Sequence, residues 1–211
     1  MTVRIGYLLP TRESIMEGRP EAEPLLSLAE RAEQLGYDSV WVGDSLLARP
    51  RHEPITLLAG VAGRTRRVKL GTGVLLPALR NPVLLAHQVA TLDQVSAGRV
   101  ILGIGIASDV PNIRAEFRAA GVPFEKRVGT LLEGMRLCKA LWSGKPVDWD
   151  GRWHVEQGVL AGPEPPRLVR RDDREPDGVA GRDLGKPRPV RGFESVEALD
   201  GSAQPWPPQR G

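Results

Sequence analysis

Apolar positions along the first two-thirds of the chain fall into two kinds of stretch that alternate. Short, nearly continuous apolar runs occur at 3–9 (VRIGYLL), 38–44 (DSVWVGD), 68–76 (VKLGTGVLL) and 99–107 (RVILGIGIA). Between them lie longer segments with apolar residues three and four apart. In 24–36 these are Leu25, Leu28, Ala29, Ala32 and Leu35, with Gly36 as a stop. Segments 53–65 and 81–98 repeat the pattern, and Asn81 followed by Pro82 predicts an N-cap and a first helical position. A further helical stretch is expected over 123–142. Runs without polar alternation are what strands look like when helices cover a parallel sheet. The strand starts recur about every thirty residues, which predicts right-handed βαβ units in either an eight-fold barrel or an open doubly wound sheet.

The pattern stops near residue 160. Of the 51 residues 161–211, nine are proline, seven glycine and eight arginine, and only 193–200 (FESVEALD) could form a turn or two of helix. Such a segment has too few core-forming residues to offset its chain entropy, so disorder or loose attachment is expected. The expected division is therefore a barrel portion, 1–160, and a tail, 161–211. A full barrel takes roughly 250 residues, so four clear βα units amount to about half of one.

Composition narrows the function classes. Hydrophobic content of 41% and charged content of 26% are ordinary for a globular protein, and a net charge of +3 is small. No basic block with interleaved aromatics appears, which argues against a nucleic-acid partner. One cysteine excludes an internal disulfide framework and fits a reducing compartment. The N-terminal apolar run is broken at once by Pro10 and charges, so it is expected to be a strand rather than a signal peptide or membrane span. A cytoplasmic protein without membrane association is the expectation.

The block VKLGTGVLLPALRNPVLLAHQVATLDQVSAGRVILGIGIA (68–107) resembles the luciferase-like monooxygenase superfamily, supported by LAERAEQLGYDSVWVGD (28–44) and by residues 116–154. The resemblance covers roughly 1–160. It implies an α/β fold, a partial (β/α)8 TIM barrel, and a flavin-dependent oxidoreductase or monooxygenase using FMN or coenzyme F420 on a small organic substrate. With FMN, the implied co-substrate is O2; with F420, hydride would pass between cofactor and substrate directly. Two departures stand out. The second strand ends Asp44-Ser45 where the family often has an acid followed by histidine, so no histidine role carries over there. Past residue 160 the family continues into further strands, whereas this sequence turns Pro/Arg/Gly-rich, as translation out of frame from a GC-rich gene would make it.

In such barrels the chemistry sits at the C-terminal ends of strands. Glycines in GTGV (71–74) mark either a close approach of ligand or tight packing. The resemblance implies a non-prolyl cis peptide here, assigned to Gly73–Val74, against the flavin ring. The candidate cofactor contacts are Asp44, Thr72, Gly73, Val74, Gly105, Ala107 and Ser108; Pro10 and His52 are candidate substrate contacts. Asp44 could equally cap the following turn. Gly103-x-Gly105 lacks the third glycine of a dinucleotide fingerprint, because Ser108 stands there. No obvious general base presents itself. The histidines do not group with acids at metal-ligand spacing. Cys138 shares a face with Leu131, Met135 and Leu141 or Trp142 and is expected in the core. Asp93 and Arg99, at the opposite end of the barrel, are expected to serve structure.

Two other classes compete with the enzyme. A non-catalytic remnant would leave two sheet edges and the barrel interior uncovered, so that a homodimer, unfolding or aggregation would follow. An open-sheet nucleotide-binding domain would need a glycine-rich first turn, which LLPTRES does not supply. If the tail arises from a shifted frame, the coding DNA past codon 160 is expected to show an apolar βα pattern in another frame. Three frames without such a pattern would exclude that origin.

Overall fold

The computed structural model describes residues 4–160 and 167–169. Its strands are β1 (Gly6–Leu8), β2 (Ser39–Val42), β3 (Lys69–Thr72) and β4 (Val100–Gly103), in that spatial order and all parallel. The helices between them are α1 (Thr11–Met16), α2 (Glu23–Gln34), α3 (Pro54–Arg64) and α4 (Pro82–Val95). Sequential strand order with parallel pairing is the winding of a barrel wall, not of a doubly wound sheet, whose order reverses partway. The helical layer is continuous: α2 packs on α3, and α3 on α4. After β4 come α5 (Pro111–Ala119) and α6 (Arg127–Leu141), the latter packed against α4. The fold is thus part of a (β/α)8 barrel. All described residues belong to one compact unit, Met1–Asp173.

Local chemistry sets the helix ends. The Asn81 side chain accepts from the N–H groups of Val83 and Leu84, and Glu53 caps α3 through Thr56 N at 2.7 Å. Pro54 and Pro82 occupy first-turn positions where no N–H is needed. Between sheet and helices lies the core, which includes Val40, Val42, Leu58, Val61, Leu70, Leu85, Val89 and Leu102. Each such side chain contributes about 1.5–3 kcal/mol by leaving water. Helices α4 and α6 are joined as well by Trp142 Nε1 donating to Ala86 O at 2.9 Å and by Cys138 Sγ, 3.2 Å from Pro82 O. Burial pushes the Cys138 thiol up to about 12, as a core cysteine requires.

The inner face of the sheet is built differently. Trp41 points away from the helices and lies over Gly6, Gly71, Gly73 and Gly103 from three neighbouring strands. A Cβ at Gly6 or Gly71 would overlap the indole, whose Nε1 donates to Ser39 Oγ at 2.8 Å. Glycine in GTGV therefore serves tight packing at Gly71, one of the two readings the sequence left open.

The structure departs from sequence expectation in several places, among them the short helix α1, which no helical pattern announced. Each strand is shorter than its apolar run: β1 begins only at Gly6, and the runs through β3 and β4 go on into the strand-end loops, where Leu75 and Ile104 pair as an isolated bridge. Helix α5 was not expected: its apolar face consists of little more than Ile113 and Phe117, among Asn112, Arg114, Glu116 and Arg118. An antiparallel hairpin, β5 (Val147–Asp150) and β6 (His154–Gly158), was not expected either: Val147, Trp149 and Val155 face the core, but they are too few and too short a run to stand out among the polar residues between them. Strand β7 (Arg167–Val169) pairs in parallel with β4, so the sheet continues beyond residue 160; three residues are too few to show a pattern. Apart from β7, the tail expected to be disordered lies outside the described residues.

Substituting Gly71→Ala is expected to cost about 1–3 kcal/mol, since the new methyl must displace the Trp41 ring. Gly63→Ala, on exposed α3 surface with no neighbour within 4 Å, should instead be neutral or stabilising by up to about 1 kcal/mol. Urea unfolding followed by circular dichroism checks both, and equal effects at the two sites would contradict the packing described.

Candidate functional site

The two ends of the sheet are built for different purposes. At the N-terminal end, the buried Arg99 donates to Ser96 O, Ala62 O, Val68 O, and both Thr65 O and Thr65 Oγ1, at 2.6–3.1 Å. Its burial lowers the guanidinium pKa, with Glu33 opposing. Asp93 Oδ1 accepts from Val100 N at 3.2 Å. Glu33 takes N–H bonds from Arg66, Arg67 and Val68; burial works against its charge, and those bonds outweigh it to hold the carboxyl below its ordinary value. These are turn-closing contacts, as expected of the face that serves stability.

At the C-terminal end the strand-end loops converge. Gly73 N donates to Val42 O and Leu75 N to Gly103 O, both at 2.7 Å, while Gly105 N returns to Leu75 O at 2.9 Å. The Gly73–Val74 peptide bond is cis, at the position expected. Val74 is 40% exposed, and Gly105 makes room for it, because a Cβ there would stand 2.6 Å from Val74 Cγ2. Thr72 Oγ1 donates to Gly103 O at 2.8 Å and is buried. Of the expected cofactor contacts, Thr72, Gly73, Val74 and Gly105 thus come together in one group. Ala107 is buried, its carbonyl accepting from Arg127 Nε at 3.3 Å, and Ser108 is exposed on the same loop.

The remaining expected residues stand differently. The Asp44 carboxylate is 2% exposed and both oxygens are engaged: Oδ2 accepts from Arg80 at 2.6 Å and from Leu76 N at 2.8 Å, and Oδ1 from Arg80 at 3.0 Å. It ties the end of β2 to the loop after β3. Burial pushes the Arg80 guanidinium down, but the Asp44 and Glu53 bonds and charges outweigh this and hold it above its ordinary value. Pro10 is half-buried, immediately before α1. His52 Nε2 lies 2.8 Å from Pro20 O, and its ring lines a small, largely apolar recess between α2 and α3 with Leu26, Thr56 and Leu57.

Three features of this end escaped sequence reading: Arg80, Trp41 and Glu116. Glu116 is 1% exposed, and its Oε1 accepts from Ser45 Oγ at 3.2 Å, from Leu47 N at 2.9 Å, and from Leu46 N. One carboxylate on α5 therefore pins the loop after β2, which carries the exposed Leu46 and Leu47. A charged residue beside Phe117 on the apolar face of a short helix was the available signal. Among the described residues no three His, Cys, Asp or Glu side chains gather as a metal site, and no helix is long and apolar enough to cross a membrane.

Comparison with known proteins places this geometry. The sequence model of the luciferase-like monooxygenase family matches residues 3–179. An F420-dependent glucose-6-phosphate dehydrogenase of Nocardia farcinica (strain IFM 10152) is 37% identical over 141 residues, covering 64% of this chain and 42% of the relative. The chain thus spans less than half the length of that protein. Among solved structures, the monooxygenase RslO1 from Streptomyces bottropensis superposes with a TM-score of 0.68 at 26% identity, over 80% of this chain and 53% of that one. The FMN complex of the oxygenating constituent of 3,6-diketocamphane monooxygenase, from the CAM plasmid of Pseudomonas putida, gives 0.70 at 20% identity, over 81% and 51%, and shows the fold alone.

Because Asp44 is almost fully buried and Arg80 largely so, Asp44→Ala is expected to cost about 3 kcal/mol by leaving the guanidinium half-paired. Chemical denaturation measures this. A loss below about 0.5 kcal/mol, the scale of a surface pair, would contradict the locking role.

Proposed function

This chain belongs to the luciferase-like monooxygenase family, and on that premise we propose that it supplies the β1–β4 side of a barrel oxidoreductase that works with coenzyme F420 on a small organic substrate. The observation that carries the reading is the group at the ends of β3 and β4, where Gly73–Val74 stands clear over a glycine. The relative at 37% identity that is F420-dependent by name favours F420; FMN, which the family resemblance left open, is the second reading.

The residues present fit a flat, mostly apolar ring. Val74, Leu46, Leu47 and Ile106 are large apolar side chains left exposed after the C-terminal ends of β2, β3 and β4. Backbone at 72–74 and Gly105 would hold one face of the ring, and Ala107 and Ser108 would border it. Asp44 acts through Arg80 by fixing the loop that carries Leu75 and Leu76, and Glu116 fixes the loop that carries Leu46 and Leu47. Both are positioning residues in this scheme. Apolar side chains around the ring would keep out water. When bound, the deazaflavin supplies hydride transfer, so the protein's share is orientation and exclusion of solvent.

Fluorescence titration of the full chain with F420 and with FMN tests the reading. Saturable binding of F420 is expected, weakened at least about tenfold by Gly105→Val, which pushes Val74 out of place. A folded chain that binds neither cofactor would favour the remnant that does no catalysis.

A further inference from the structure

A guanidinium removed from water is costly unless its donors are satisfied. Two such groups occur at the same end of the sheet. Arg12 lies in the first turn after β1, and Arg51 in the segment after β2. The Nε of each is buried and has no hydrogen-bond partner. The Arg51 guanidinium lies over Gly43, the residue that follows β2, where a Cβ would collide with it. Glycine at 43 thus lets the charged head fold back over the strand end rather than extend into solvent.

The local charges do not neutralise it. Burial pushes the Arg51 pKa down; Glu13 opposes, Arg12 and Arg49 add to the push, and Asp44 opposes weakly. Asp44 is committed to Arg80 and Leu76 N, and Glu53 to Arg80 and Thr56 N. Glu13 is exposed. Positive charge with idle donors therefore stands beside the strand ends, where barrels of this kind bind ligands.

We propose that Arg12 and Arg51 form a binding site for an oxyanion, a phosphate or carboxylate carried by the ligand. The planar fork of arginine matches two oxygens of such a group, and Arg12 and Arg51 approach from successive strand ends. The site deepens the function proposed above by giving the ligand a charge class, and it rests on that reading only for its part in turnover. The anion belongs either to the substrate or to the side chain of the cofactor.

The test uses inorganic phosphate, titrated calorimetrically into the full chain at constant ionic strength with chloride as control. Saturable binding is expected, about tenfold weaker in Arg51→Gln and in Arg12→Gln, and unchanged in Arg136→Gln on the exposed side of α6. Without phosphate, Arg51→Gln should melt no lower than the parent, because it removes a half-buried charge whose Nε has no partner; a loss of affinity is then not a loss of fold. Parallel titrations with F420 and the same deazaflavin without its phosphate-bearing chain, and with FMN and riboflavin, locate the source. If Arg51→Gln weakens only the phosphorylated member of a pair, the anion is the cofactor's. If cofactor binding is unchanged while phosphate binding falls, it is the substrate's. Phosphate binding without cofactor binding would count against the proposed function and leave the anion site standing. No phosphate binding above the chloride control, or binding unaltered in both variants, overturns the site.

Discussion

The seating of one indole against a bed of glycines is the constraint on which the rest of this structure depends. Trp41 fills the concave side of the sheet that Gly6, Gly71, Gly73 and Gly103 leave open. Strands with side chains at those positions could not keep their registers, Leu8 opposite Trp41 and Trp41 opposite Gly71, with a ring between them. The convex side obeys the ordinary rule, with Val40, Val42, Leu70 and Leu102 buried under helices. The two faces thus solve different problems: one hides apolar area, and the other trades side chains for a single large group and free backbone. Glycine at the ends of β3 and β4 extends the second solution to the place where a cofactor ring would lie.

Around this wall, polar groups divide by end. Arg99 and Glu33 spend their hydrogen bonds on backbone at the N-terminal end and close turns there. At the C-terminal end Asp44 and Glu116 tie loops to one another across the fold, one through a guanidinium and the other through backbone N–H groups and a hydroxyl. Loops fixed in this way lose less freedom when a ligand binds, which is the energetic value of preorganisation. The idle donors of Arg12 and Arg51 lie at the same end, near the fully engaged Asp44 carboxylate.

Much of this was legible in the sequence, and the parts that were not share a cause. The βα alternation, the Asn81 cap, the buried Cys138 and the cis bond at Gly73–Val74 all sit in local patterns or in a contiguous family motif. The pairing of Asp44 with Arg80 and the clamp of Glu116 on Leu47 join residues far apart in the chain, so no periodicity marks them. The sequence left Asp44 open as a ligand contact or a cap of the next turn, because its partner Arg80 lies beyond the next strand. His52 looked like a mouth residue because it follows β2, yet its ring turns toward Pro20 in the loop ahead of α2. Strand β7 was missed because its three residues are set in a proline- and arginine-rich stretch, and ladder bonds to β4 hold it without an apolar signature.

On the function proposed, the concave, glycine-lined side of this sheet ends in a platform for a flavin-type ring. A crystal structure of the full chain soaked with F420 checks this. Ring density is expected against the Gly73–Val74 backbone, with Gly105 and Val74 within van der Waals contact and Asp44 still bound to Arg80. Density on the helical side of the sheet or in the recess beside His52, with the strand ends vacant, would contradict it.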